Sequence, residues 1–137
     1  MPKQRNDGAA SQDAFEKLLV NRLTPKGHWA YKLPDTKSIK GALNRGFVAK
    51  SPSDFIVMEH RVTYPAEVKS TVSPRGYSFS FEKLQWIAMS RAAQLEAPYF
   101  VFIHNLTANR WFKVPAKVFV ESKKKSLTWE ELHDYLY

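Results

Sequence analysis

An α/β domain with a mixed central sheet, flanked by helices, is the fold this sequence predicts, and three observations carry it. Helical and strand-like patterns follow one another in the order α-β-β-β-α-β-β-α. At 137 residues the chain has the length of one domain and can bury a real core. With 44% hydrophobic and 25% charged residues, no repeats and no low-complexity linkers, its composition is globular throughout.

The elements follow from local patterns. Residues 1–9 are polar and read as a loose basic arm, leaving 10–137 as the domain. Ala14, Phe15, Leu18, Leu19 and Leu23 fall on one helical stripe with Ser11 as N-cap, and Thr24-Pro25-Lys26-Gly27 stops it. His28 to Leu33 alternates like a strand, ended by Pro34-Asp35. Residues 36–50 are unpatterned and basic, which predicts a long loop. Phe55 to Met58 reads as a buried strand, Glu59-His60-Arg61 as a turn, and Val62 to Ser70 as the returning strand. Pro65 places that strand at an edge or a bulge. After the loop Ser73-Pro74-Arg75-Gly76, a helix is predicted from Glu82 to about Glu96. Leu84, Ile87, Ala88, Arg91 and Leu95 lie on or beside its buried stripe. Tyr99 to His104 and Arg110 to Val114 form an antiparallel pair around the turn 105–109. Val118 to Val120 is a short helix or strand. Thr128, with Glu131 three residues on, opens a last helix through a capping box.

Charge and cysteine content narrow the function. Twenty-one Lys and Arg against thirteen Asp and Glu give a net charge of +8, which suits a polyanionic partner, nucleic acid before membrane. Without cysteine there is neither a disulfide framework nor a cysteine-zinc site. No apolar leader or membrane-length run occurs, so a cytoplasmic protein is expected. Glycine-rich phosphate loops and serine nucleophile elbows are missing, and the four histidines are scattered without metal-ligand spacing.

The chemistry concentrates between Ser51 and Thr71. Asp54 heads the apolar run Phe55-Ile56-Val57, and Glu67 and Lys69 sit two apart on the next run, hence on one face of a strand. In a hairpin the three side chains converge at one end. Two carboxylates can hold a hard divalent cation, Mg2+ or Mn2+, and an ammonium beside them can hold or deprotonate a water. That is the minimum apparatus for metal-dependent phosphodiester cleavage. Each residue also has a plainer reading. Asp54 can cap a turn, Glu67 and Lys69 can form an ordinary surface ion pair, and Glu16, beside the buried stripe of the first helix, can be a solvated glutamate. Gln85, between Leu84 and Trp86, can reach a phosphate or a base, or simply face solvent.

Asp54-x12-Glu67-x-Lys69 across a hairpin, preceded by the helical Phe15-Glu16-x-x-Leu19 and followed by an amphipathic helix, resembles the PD-(D/E)XK nuclease superfamily. Ser53-Asp54 stands where that name has Pro-Asp. The chain is most similar to Holliday-junction resolvases of the RecU and archaeal Hjc type over roughly residues 10–120. The features are Ser51-x-Ser53-Asp54-Phe55, Glu67-Val68-Lys69-Ser70-Thr71, Gly76-Tyr-Ser-Phe-Ser-Phe81 leading to Gln85, and Tyr99-Phe-Val-Phe-Ile103 before Arg110-Trp-Phe-Lys-Val-Pro-Ala116. The segment 36–50 is shorter than the protruding stalk of RecU proteins.

This resemblance implies a restriction-endonuclease-like fold and a structure-selective DNA endonuclease cutting four-way junctions. It implies Asp54, Glu67 and the Val68 carbonyl as metal ligands, Lys69 as the group that orients or deprotonates water, and Glu16 as a helper ligand. The products would carry 5′-phosphate and 3′-hydroxyl ends. Lys37, Lys40, Arg45, Lys50, Arg75, Lys83 and Gln85 are the expected DNA contacts. Two symmetric cuts point to a C2 homodimer, to which Trp86, Trp111 or Trp129 contributes if not core. Two alternatives stand beside this: a restriction-like or repair nuclease acting on duplex or flapped DNA, and a non-catalytic basic DNA-binding module.

Overall fold

The computed structural model describes residues 7–22, 29–33 and 51–137. Helix α1 (Asp7–Arg22) is followed by β1 (Trp29–Lys32), β2 (Phe55–Glu59), β3 (Val62–Thr71) and β4 (Gly76–Ser78). Then come α2 (Lys83–Gln94), β5 (Phe100–Asn105), β6 (Arg110–Pro115), a short α3 (Ala116–Val120), β7 (Ser126–Thr128) and a 3₁₀ turn (His133–Tyr135). Five strands form one sheet in the order β1-β2-β3-β5-β6, and β4 pairs with β7 in a separate ribbon. Among the described strands only β3 and β5 run parallel in the main sheet, from Ala66 beside Phe100 to Thr71 beside Asn105. Parallel neighbours need a crossover, and α2 lies on it. The sheet is therefore mixed and has helices on both faces, as the element order predicts.

Side-chain alternation assigns each strand residue to a layer. On β3, Tyr64, Ala66 and Val68 join Phe15 of α1, Phe55, Val57, Phe102 and Trp111 in one core. The opposite face packs Val101, Ile103, Phe112 and Val114 against Met89 of α2 and Phe119 of α3. Pro65, Glu67 and Lys69 belong to this second, α2-facing layer, so a buried carboxylate stands on the central strand.

Several expectations are corrected by packing. Helix α1 begins at Asp7, so Ser11 is not its N-cap. Ser11 is buried, and its Oγ meets His104 Nδ1 at 3.2 Å. His104 also contacts Asn109 Oδ1 at 2.9 Å and stacks on Trp111, which makes it a structural residue. Strand β3 is central rather than an edge. Pro65 is tolerated because the β5 ladder starts only at Ala66, leaving the missing N–H opposite no partner. Helix α2 is rotated from the expected stripe. Leu84, Ile87, Arg91 and Leu95 face solvent, Ala88 is half-buried, and Met89 is the buried centre. That rotation turns Gln85 toward the sheet.

The capping box forms at Thr128 and Glu131, with Thr128 N–H donating to Glu131 Oε1 at 3.0 Å and Glu131 N–H donating to Thr128 Oγ1 at 3.1 Å. No α-helix follows, because the chain is drawn onto β6, where Leu136 bridges Phe112 and Tyr137 N–H donates to the Trp111 carbonyl. Trp111 is buried, and Trp86 and Trp129 are half-buried against the core. Trp29, at 51% exposure, is the open tryptophan. Residues 1–6 of the expected arm, the Leu19 side chain, Leu23, the stop at 24–27, His28, Pro34-Asp35 and the loop 36–50 lie outside the described residues. Among those described, no helix is long and apolar enough to cross a membrane.

Gly76 is required by a close approach. A Cβ there would lie 2.0 Å from the Leu127 carbonyl oxygen in the paired strand β7. Gly76→Ala should therefore destabilise the fold by about 3 kcal/mol, read as a lowered urea midpoint with unchanged m-value. A wild-type midpoint would contradict this ribbon pairing.

Candidate active site

Asp54 and Glu67 meet where the β2–β3 hairpin opens. Asp54 sits one residue before β2, held by its own backbone: its N–H donates to the Ala66 carbonyl at 3.1 Å, and its carbonyl accepts from Leu33 N–H at 2.8 Å. Its Oδ2 accepts from Val68 N–H at 2.9 Å. In an extended strand the N–H and C=O of one residue point to the same edge, so the Val68 carbonyl also turns toward Asp54. Upstream, the Tyr99 hydroxyl donates to the Pro52 carbonyl at 2.5 Å and pins the segment leading into the acid.

Glu67 is only 2% exposed. Its Oε2 accepts from Gln85 Nε2 at 2.6 Å and lies 3.6 Å from Lys69 Nζ. Its Oε1 is buried and meets no hydrogen-bond donor among the described residues. Gln85 holds the group together, because its Oε1 accepts both Glu82 N–H at 3.0 Å and Lys69 Nζ at 3.4 Å. Two donors on the oxygen and a carboxylate on the nitrogen fix the orientation of the amide. The Glu82–Gln85 contact is half of a reciprocal capping box, so the start of α2 is built onto the site. Lys69 also lies over the Phe81 ring, 5.3 Å from its centre.

Electrostatics mark the pair. Burial, and then the Asp54 charge, push Glu67 up to about 8, against a smaller opposing pull from Lys69. Burial also raises Asp54, while the Val68 N–H, Lys69, a hydrogen bond with Glu67 and Lys32 oppose the rise. Burial raises Tyr99 too, with Glu67 and Asp54 adding to the effect. A buried carboxylate with an unsatisfied oxygen beside a second carboxylate is a donor set suited to a hard cation. Among the described residues no three His, Asp or Glu side chains gather as a metal site, so further ligands would be the Val68 carbonyl or water.

Asp54, Glu67, Lys69 and Gln85 thus stand in one constellation. Glu16 is half-buried on α1, whose Phe15 packs in the opposite layer, and it takes no part in the interactions that shift Asp54 or Glu67. Lys83 is exposed in the first turn of α2, and Arg75 is exposed just before β4. Lys37, Lys40, Arg45 and Lys50 lie outside the described residues. Sequence reasoning missed Tyr99, Lys32 and Phe81. Their roles depend on strand pairings that no local pattern reveals.

No protein-family model matches the chain, and no curated protein matches it in sequence. Its fold matches Hjc of Archaeoglobus fulgidus, a Holliday junction resolvase from an archaeal hyperthermophile. The match has a TM-score of 0.58 and 16% identity, and it covers 92% of each chain. The fold is restriction-endonuclease-like. At that identity the likeness concerns architecture, and the chemistry rests on the constellation itself.

The raised Glu67 sets a pH signature in metal-free protein. Between the ordinary carboxylate range, near 4.5, and about 8, the folded state binds a proton that the unfolded state lacks. Stability therefore falls as pH rises through that window, with a slope of at most about 1.4 kcal/mol per pH unit for one proton. Glu67→Gln should flatten this decline in urea titrations from pH 5 to 8. An unchanged slope would show that Glu67 does not carry the proton.

Proposed function

We propose that this protein is a metal-dependent, structure-selective DNA endonuclease that cuts four-way junctions. The observation that carries the reading is Glu67. It is buried on the central strand with one oxygen unpartnered, faces Asp54, and is flanked by Lys69 and Gln85. Asp54, Glu67 and the Val68 carbonyl are the groups that would hold Mg2+ or Mn2+. Such an ion, when bound, polarises a phosphoryl oxygen and acidifies a water. Lys69, steadied by Gln85, positions the attacking water and carries positive charge toward the phosphate as negative charge builds there. Gln85, through its hydrogen bond to Oε2, would keep the Glu67 carboxylate in place for such an ion. In-line attack leaves 5′-phosphate and 3′-hydroxyl ends.

Arg75 and Lys83, with Lys37, Lys40, Arg45 and Lys50, bind phosphates, and Glu16 assists as a helper ligand. Two symmetric incisions call for a C2 homodimer. Leu84 and Ile87 on α2, Leu95 at its C-terminal cap, and Trp29, Tyr31 and Met58 on the same face of the sheet, are the apolar surface open to it.

One observation favours a second reading. Among the described residues only two acids gather, and together they can share a proton as readily as hold an ion. This is the non-catalytic, DNA-binding form of the same fold.

The test is cleavage of a synthetic four-way junction, with linear duplex of equal length alongside, with and without Mg2+ or Mn2+. Wild type should cut the junction only with metal and run as a dimer by light scattering. Asp54→Asn, Glu67→Gln and Lys69→Met should each lose about 10²–10⁴-fold in cleavage rate. Their junction affinity should stay within about twofold, because phosphate contacts carry binding. Equal cutting of duplex would move the reading to a general endonuclease. No cutting with either metal would leave the binding module.

A further inference from the structure

The loop between α3 and β7 carries three consecutive lysines, Lys123, Lys124 and Lys125. It is a shaped loop. The Lys125 carbonyl accepts Phe79 N–H at 2.9 Å, and Ser122 Oγ accepts Lys124 N–H at 3.1 Å. Lys124 is engaged by Glu131, whereas Lys123 and Lys125 are exposed. Between this loop and α2 runs a groove of about 360 Å³ whose walls include half-buried Phe79, Phe81 and Trp86. Phe81 is shared with the candidate active site. The centre of its ring lies 5.9 Å from that of Trp86 in the groove and 5.3 Å from the Lys69 ammonium of the active site.

We infer that this groove carries one strand of DNA to or from the catalytic centre, with phosphates on Lys123 and Lys125 and a base against Trp86. Aromatic walls beside exposed ammonium groups suit a chain of π-faced bases on a polyanionic backbone. An acidic peptide would satisfy the lysines but leave the aromatic walls without a partner. The assignment rests on the nuclease reading for its direction, because Phe81 joins the groove to Lys69.

The experiment measures binding of a 12-nucleotide oligothymidylate without metal, by anisotropy over a range of salt. Lys123→Gln/Lys125→Gln should weaken binding at low salt and make the log K against log[salt] slope shallower by about 1.4, the loss of two single-strand phosphate contacts. A control pair, Lys17→Gln/Arg61→Gln, removes the same charge from exposed sites on α1 and at the hairpin turn. It should change the slope by less than half as much. Oligothymidylate should also quench tryptophan emission less in Trp86→Phe than in wild type.

A loop variant with the slope and affinity of wild type or of the control pair overturns the assignment, and so does quenching unaffected by Trp86→Phe. Neither readout needs cleavage. A protein that passes both but never cuts sinks the nuclease reading alone, and one that cuts normally with an unchanged slope sinks the groove alone.

Discussion

Glu67 is withdrawn from water on the central strand, and its carboxylate is held there by the Gln85 amide, which also caps α2 and steadies Lys69. That arrangement couples the helix to the sheet. It fixes the rotation of α2, turns Gln85 inward at the expense of Leu84 and Ile87, and sets Lys69 beside the acid pair. A helix turned to bury Leu84 and Ile87 would gain apolar contact and lose the hydrogen-bond partner of a buried carboxyl group. The observed rotation indicates that satisfying the carboxylate outweighs the aliphatic gain.

Keeping an acid at this position is costly for the fold. A buried carboxylate needs hydrogen bonds and a compensating charge, and here one oxygen receives both while the other receives neither. Stability alone would favour an apolar residue, as at Ala66 and Val68 on the other face. An acid that stays where hydrophobic packing is available, next to a second acid and an ammonium, fits a chemical rather than an architectural role. The oxygen left without a proton donor is the one a cation would satisfy.

Much of this was legible in the sequence. The apolar run Phe55-Ile56-Val57 fixes β2, and the i, i+2 spacing puts Glu67 and Lys69 on one face, so the constellation could be named before its geometry was known. Other parts were set by distant contacts. Ser11 has good N-cap chemistry, yet it lies inside α1, where its hydroxyl meets His104, 93 residues away. The Thr128 capping box is real, but pairing with β6 competes with helix propagation. Pro65 suggested an edge because sequence does not reveal where the β5 ladder begins. Tyr99 supports the site only through a contact 47 residues away.

The most direct test is a crystal structure of the protein soaked in Mn2+, with anomalous scattering collected to locate the ion. A peak is expected between Asp54 and Glu67, within coordination reach of Glu67 Oε1 and the Val68 carbonyl. Clean density between the two acids at saturating Mn2+, with the carboxylates still facing each other, would contradict it.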